Sequence, residues 1–519
     1  MRFQGFVCLF CAENLLVSTR KPECSNTIWF SIVVLILMWV GGDLRGMHPR
    51  EFGRWLFRSK DDLDLTSGSI ARPLFHLSLP IVIMNLLQTT YNLVDTFWLG
   101  QYDTAALAAT SFTFPMVLLY ISIGLGISAA GSILVAQHLG ADNRSLATTA
   151  ASQTITLSVL AALAFGGLGY VFIDDILRAI GPSPQVRQLA TVYMQLISLG
   201  LVFLFGFVTF MPLMRGAGNT VTPMLVVAGS VIINIALDPF LIFGWGPFPE
   251  WGIRGAAVAT VTARALAFGV GLWIMFQGTH GIRIRLSRLR PTTECVKTQL
   301  RLSIPASIEG IGRTVSLNLL LVIVGVFPTT VVAGYGIGMR VLSVVYLPAI
   351  AVARAIETMT GQNVGAVQPD RAATATRLAG RFVFGILAAV GVIAWIAGEA
   401  IVGVFTTDPE VAHSGAVFLR YVAPTFGFIG LLRVFTASLR GAGKTLSAAT
   451  IVLVVYALIR LPAAQFGAVS IGPAGVWLSI ALTNLVGAVL AYAWHRHGAW
   501  KPTINSDKKH RNNTFTADD

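Results

Sequence analysis

The sequence predicts an all-α polytopic membrane protein, with twelve transmembrane helices in two six-helix bundles related by internal duplication. Three observations carry that expectation. Of 519 residues, 55% are hydrophobic and only 12% are charged, with a mean hydropathy of +0.72; soluble domains carry about a quarter charged residues. Apolar stretches of spanning length, roughly 17–25 residues, recur along the chain. The chain also repeats itself at an offset of 225 residues. The formal net charge of +13 does not point to nucleic acid, because the basic residues recur in short clusters between apolar segments.

The repeat answers a question posed by "LRGAGKT" (439–445), which looks like the end of a nucleotide-binding loop. Such a loop needs a second glycine five positions before Gly443, and that position is Ser438. Its flanks, "FTASLRG" and "AATIVLVVYALI", read as hydrophobic helices. "MRGAGNT" (214–220) is its counterpart at the 225-residue offset. At the same offset "LSLP" (77–80) falls on "LSIP" (302–305), "AQHLGA" (136–141) on "GQNVGA" (361–366), Asp174 on Glu399 and Pro184 on Pro409. Shared spacing over so long a stretch is the signature of duplication. Arg-Gly-Ala-Gly is therefore expected to be a repeated inter-helix turn, its glycines permitting a tight reversal. No nucleotide is expected to bind.

Each half holds six apolar segments. The spans are 73–99, 106–130, 147–173, 186–211, 221–244 and 253–277, then 298–325, 331–359, 373–404, 411–438, 446–467 and 472–495. Six is even, so both halves enter the membrane in one orientation, related by an axis along the membrane normal. The expected organisation is a leader over 1–69, an N-lobe over 70–277, a basic linker over 278–297, a C-lobe over 298–496 and a polar tail over 497–519. The linker "GTHGIRIRLSRLRPTTECVKTQLR" is strongly basic, and Arg144, Arg215, Arg371, Arg377, Arg440 and Lys444 are assigned to loops on its side. The positive-inside rule then places both termini and the linker in the cytoplasm. In the leader, "NTIWFSIVVLILMWVGG" (26–42) is an extra apolar segment or the product of a mis-assigned start, and the working protein is expected to begin near Met47. Cys8 and Cys11 have no second pair to make a metal or redox motif, and Cys24 and Cys295 stand apart.

Ionisable residues inside spans cost roughly 2.5–3.5 kcal/mol each on insertion scales, so each needs a reason. In the first span Gln88, Tyr91, Asn92 and Asp95 follow helical spacing along one face. In the fifth, "IINIALDP" places Asn234 and Asp238 at i, i+4. Two carboxylates and two amides are hard oxygen ligands suited to a small cation. The plainer readings are a helix-end Asp95 wetted from the loop and an Asp238-Pro239 cap or kink. At the repeat offset Asp95 meets Leu320 and Asp238 meets Ala463, so neither acid serves the shared scaffold. The C-terminal half has its own charges: Glu309 with Arg313, Arg354 with Glu357, and Arg460. There, pairing between neighbours is preferred to cation coupling. Pro80 and Pro305, at matched positions, permit bends where a transporter would move. His138 and the "HRH" of 495–497 lack a partnered nucleophile or metal-ligand spacing, so no enzyme is indicated.

These features resemble the multidrug and toxic compound extrusion (MATE) family over about residues 70 to 496. The likeness lies in the duplication, the "RGAGNT/RGAGKT" turns and the opening helix "LSLPIVIMNLLQTTYNLVDTFWLG". The N-x-x-x-D-P of span five looks like the archaeal, DNA-damage-inducible protein F-like branch, which carries its cation-coupling acids in the N-lobe. The resemblance implies the MATE fold, a V-shaped pair of bundles in the plasma membrane that alternates between inward- and outward-facing forms. It implies export of amphipathic or cationic compounds against entry of a proton or sodium ion, by a monomer without cofactor. It implies cation coupling, sodium included, at Asp95, Asn234, Asp238 and Thr260, with Gln88, Tyr91, Asn92 and Tyr193 as the neighbouring polar network and Pro80 as the bend. Glu309, Arg313 and Glu357 remain the candidate C-lobe charges. A lipid-linked oligosaccharide flippase of the same superfamily is the alternative, and a channel or receptor the more distant one.

Overall fold

The structure, a computed structural model, describes residues 64–498 and 500. The leader's apolar segment, the start near Met47 and nearly all of the polar tail lie outside the described residues. Helices account for almost everything else, as long apolar runs must when the backbone has no water to bond to. The N-lobe consists of α1 (Ala71–Tyr102), α2 (Thr104–Gly140), α3 (Arg144–Ile180), α4 (Pro184–Leu199), α5 (Leu201–Gly216), α6 (Val221–Phe243) and α7 (Ile253–Gln277). The C-lobe follows with α8 (Thr293–Val324), α9 (Thr329–Gly365), α10 (Pro369–Ile396), the short α11 (Gly398–Gly403), α12 (Pro409–Val422) and α13 (Phe426–Gly441). It ends with α14 (Thr445–Leu453), a π-helical turn over Val454–Arg460, α15 (Leu461–Ser470) and α16 (Pro473–His497). Among the described residues eleven helical runs are long and apolar enough to span a bilayer. The pair α4 and α5, bent by 58° at Gly200, makes the twelfth. The C-lobe has its own interruption at the matching place, a 3₁₀ turn over Ala423–Thr425. Ile232, Val322 and Phe466 are 67%, 69% and 77% exposed on the outside, a surface suited to lipid rather than water.

Pro80 and Pro305 both sit inside unbroken helices, α1 and α8. The linker is not a loose tether. Arg288 donates to the hydroxyls of Ser145 and Thr149 at 2.9 Å each, Thr156 donates to the Leu289 carbonyl, and Gln299 reaches Thr154 at 3.1 Å. It is stitched along α3 of the N-lobe.

The lobes meet along a seam in which α1 and α2 pack on α8 and α9. The two repeated motifs find each other there. Gln137 of "AQHLGA" donates to the carbonyl of Gly441, and Gln362 of "GQNVGA" donates to that of Gly216, each at 3.0 Å. Gly140 and Gly365 are glycines because a Cβ on either would overlap the backbone of the opposing glutamine. Each lobe thus caps the other's Arg-Gly-Ala-Gly helix end, and the caps obey the duplication.

The same turns differ in geometry from a phosphate-binding loop. In "RGAGKT" the Gly443 N–H donates to the Arg440 carbonyl at 2.8 Å and the Lys444 N–H to that of Leu439 at 2.9 Å. Gly443 is left-handed at φ 79°, and Gly218 repeats the arrangement at φ 83°. This is a Schellman helix end, whose amide hydrogens are consumed by the helix's own last carbonyls. The Gly443 and Lys444 amides are therefore not free to cradle phosphate. The turns also correct the placing of Arg215 and Arg440 in loops: both belong to the last turns of α5 and α13 and are 8% and 7% exposed.

Two predictions follow from these caps. Lys444→Ala should leave transport and stability near wild type and reveal no ATP affinity to lose. Nucleotide binding in the native protein that vanishes in this variant contradicts the capping account. The ends of α2 and α9 are also Schellman turns, but the left-handed residues are Asp142 (φ 56°) and Val367 (φ 60°). A β-branched residue is strained there, and Val367 is 55% exposed, so it gains little from burial. Val367→Gly should therefore stabilise by about 1 kcal/mol, read as a raised apparent melting temperature in detergent. A fall would show that the turn is not left-handed.

Candidate cation-coupling site

The N-lobe site is assembled from five helices. Asp95 and Tyr91 come from α1, Asn234 and Asp238 from α6, Thr260 and Arg264 from α7, Tyr193 from α4 and Phe207 from α5. Asp238 is fully buried, and Asn234, Thr260 and Tyr193 are nearly so. Asn234 Nδ2 approaches Asp238 Oδ1 at 3.5 Å, a long hydrogen bond across one helical turn. The Tyr91 hydroxyl lies 3.0 Å from Thr260 Oγ1, tying α1 to α7. Asp95 and Asp238 sit within electrostatic range of each other and of Tyr91 and Tyr193. Three buried oxygens, Asp95 Oδ1, Asn234 Oδ1 and Asp238 Oδ2, have no hydrogen-bond donor among the described residues.

Of the residues expected here, Asp95, Asn234, Asp238, Thr260, Tyr91 and Tyr193 are brought together. Gln88 is half-buried and Asn92 exposed, and neither side chain makes a hydrogen bond among the described residues. The apparent stripe on α1 therefore divides, because α6 and α7 cover only part of that face. Arg264 is the residue that the sequence reading overlooked. It is 7% exposed, lies 5.1 Å from the Tyr91 ring and 4.5 Å from that of Phe207, and reaches Ser230 Oγ at 3.4 Å. A lone arginine four residues after Thr260, inside an apolar span, was the available signal. It is a buried cation in the same lobe, held against Tyr91 and Phe207.

The C-lobe charges are arranged differently from the expected neighbour pairs. Arg354 does hold Glu357, at 3.1 Å. Glu309, however, pairs with Arg440 rather than Arg313: Arg440 Nη1 donates to both carboxylate oxygens of Glu309, at 2.8 and 3.1 Å. Its Nε reaches Glu357 at 3.4 Å. Helical spacing on α8 favours Arg313, but Arg440 enters from α13, sets one nitrogen against both Glu309 oxygens and turns another to Glu357, so one guanidinium bridges two carboxylates. Arg460 is held by neutral partners, Thr483 at 2.8 Å and Asn484 at 2.9 Å, against the ring of Tyr456.

A duplicated helical membrane protein with a charged cluster buried inside each lobe has the architecture of a membrane transporter. The comparisons make this specific. The MatE family model matches residues 80–240 and again 305–465, two segments displaced by the same 225 residues. The chain belongs to the MatE family, whose members are transporters. It is 28% identical to the probable multidrug resistance protein YpnP of Bacillus subtilis, over 84% of this chain and 97% of that one. It is also 28% identical to a protein of Shewanella oneidensis named FAD transporter, over 83% and 96%. The fold matches a solved outward-facing multidrug resistance MATE family transporter of the MOP superfamily, with TM-score 0.79 and 22% identity over 86% of this chain and all of the other. A solved MATE structure in the straight conformation superposes with TM-score 0.80 over the same shares.

Proposed function

We propose that this protein is a secondary active efflux transporter, exporting amphipathic or cationic compounds in exchange for protons or sodium ions by alternating access. The observation that carries the reading is the trio of buried oxygens of Asp95, Asn234 and Asp238 without a donor. Two carboxylates within electrostatic range of each other repel when both are ionised; a proton on one, or a sodium ion among the oxygens, relieves that repulsion. With only two carboxylates the donor set suits a monovalent ion released each cycle rather than a tightly held metal. The ion and the exported compound need not touch, provided each biases the same two-state equilibrium in opposite directions. Thr260 and Tyr91 link α1 to α7, so ion occupancy at the acids alters how these helices pack, and Pro80 supplies α1 with a place to bend. The acids' confinement to the N-lobe supports the archaeal, DNA-damage-inducible protein F-like branch. The basic loops support an orientation with the Arg-Gly-Ala-Gly end in the cytoplasm. Among the arginines that favour a lipid-linked oligosaccharide flippase, Arg354 is already neutralised by Glu357.

The experiment is cationic-dye efflux from proteoliposomes under separately imposed proton and sodium gradients, with variants matched for folded amount. Asp95→Asn and Asp238→Asn should each lower gradient-driven efflux by about tenfold or more, the size of an ordinary coupling free energy. Glu309→Gln should lower thermal stability, since it weakens a buried ion pair, while efflux per folded molecule persists. Full activity in both aspartate variants with loss only in Glu309→Gln moves the coupling site to the C-lobe. Export that continues with every ion gradient collapsed and ATP supplied removes the secondary-transport reading.

A further inference from the structure

The helix faces that meet at the seam continue beyond it as the walls of a cleft between the lobes. Residues eleven or eighteen apart share one face of a helix, three or five full turns on. On α9, Ala351 packs in the N-lobe core and Gly365 lies against Gln137 of α2. Arg340 stands eleven residues before Ala351, so the same face carries it. On α1, Leu74 and Leu77 pack in the C-lobe core. Asn85 and Asn92 follow Leu74, and Gln88 follows Leu77, at these spacings. On α8, Ser307 lies against Gly126 of α2, and Asn318 follows it by eleven.

Arg340, Asn92 and Asn318 are exposed, whereas Leu74, Leu77 and Ala351 on the same faces are buried at the seam. Arg340 lies eleven residues from the start of α9 and Asn92 ten from the end of α1. At 1.5 Å per residue each is about 15–16 Å from the far end, the middle of a hydrocarbon layer about 30 Å thick. An arginine at that depth is too costly to hold against lipid, so it marks a wet path. The Arg340 carbonyl accepts from Ser343 at 2.6 Å, but its guanidinium makes no ion pair or hydrogen bond among the described residues. The acids of α1, α2, α8 and α9 are engaged elsewhere. Glu309 and Glu357 hold Arg440, Asp95 belongs to the N-lobe site, and Glu294 lies in the first turn of α8. The amides on the opposite wall also have bonds to give: Asn85 Nδ2 has no acceptor among the described residues. At the repeat offset Arg340 falls on Pro115, so the shared scaffold does not require it.

We propose that this cleft binds anionic cargo, with the fork of Arg340 holding a phosphate or carboxylate group and the amides of α1 and Asn318 meeting the polar atoms beside it. A guanidinium fork matches such oxygens. A cleft lined by one sign of charge between low-dielectric walls draws in the opposite sign. The inference rests on the transport reading and adds anionic compounds to its substrate class. The N-lobe acids then serve the coupling ion, and Arg340 the cargo.

The test uses the full-length protein in liposomes of zwitterionic lipid and three probes that share a ring system: 1-naphthyl phosphate, 1-naphthylacetate and 1-naphthylmethylammonium. Binding is read by fluorescence titration and export by gradient-driven transport. The native protein should bind at least one of the two anions more tightly than the ammonium. Arg340→Gln should lower the ratio of anion to ammonium binding by about tenfold or more, as expected for loss of a charge-assisted contact. Arg340→Lys should restore part of that ratio, and Arg340→Glu should reverse it. A ratio that Arg340→Gln leaves unchanged, including a loss of all three probes together, overturns the inference. So does displacement of naphthyl phosphate by phosphatidylglycerol added to the bilayer, which would make the occupant a lipid head group. Export of the ammonium with no anion binding overturns the inference and leaves the transport reading standing. Arg340-dependent anion binding with no export of any probe under any gradient overturns the transport reading instead.

Discussion

The close approach of α2 and α9 at the seam is the constraint from which the rest of the architecture follows. Gly140 and Gly365 let two helices pass with backbone against backbone, and the neighbouring Gln137 and Gln362 reach across to the ends of α13 and α5. Replacing either glycine pushes the lobes apart; removing either glutamine leaves a buried carbonyl without a donor, at about 1–3 kcal/mol. Because the seam holds α5 and α13 by their last turns, it also draws Arg215 and Arg440 into the interior. Arg440 then finds Glu309 and Glu357, whereas Arg215 lies near Arg354, Glu357 and Arg440 with its Nε unpartnered. The seam is therefore both a packing contact and the origin of a buried charge network.

Duplication supplied the scaffold, and divergence supplied the chemistry. The positions that match between the halves are those that make turns and close contacts: the Schellman ends, the crossing glycines, the capping glutamines and the interruptions at Gly200 and Thr425. The positions that do not match carry charge. Asp95 stands opposite Leu320, Asp238 opposite Ala463, Arg264 opposite Val489 and Arg313 opposite Gln88. An acid in one lobe answered by an aliphatic side chain in the other is a poor candidate for a structural role that both lobes share.

Much of this was legible in the residues. Apolar length marked the spans, the fixed offset revealed the duplication, and helical spacing with an internal charge located Asp95, Asn234 and Asp238. What could not be read was whatever depends on contact between segments far apart in the chain. Arg215 and Arg440 looked like loop cations because they adjoin a turn, and only the opposing lobe makes that turn an interior. Glu309 looked paired with Arg313 because i, i+4 neighbours meet on one helix, yet a better-aimed guanidinium arrives from α13. Arg264 was passed over because a single arginine among alanines and valines shows no pattern until Tyr91 and Phe207 are seen to enclose it.

The account holds that the seam opens and the opposite end closes in response to an ion at the N-lobe acids. Spin labels at Arg144 and Gln368 report on the seam end, and labels at Gln101 and Val326 on the far end, with the native cysteines replaced. Pulsed electron-paramagnetic-resonance distances would be collected with and without sodium and at acidic and alkaline pH. The account predicts that an ion condition shifts the two distance distributions in opposite directions, and that Asp95→Asn combined with Asp238→Asn freezes both. Distances that ignore the ion conditions, or that shift equally in the doubly substituted protein, would contradict it.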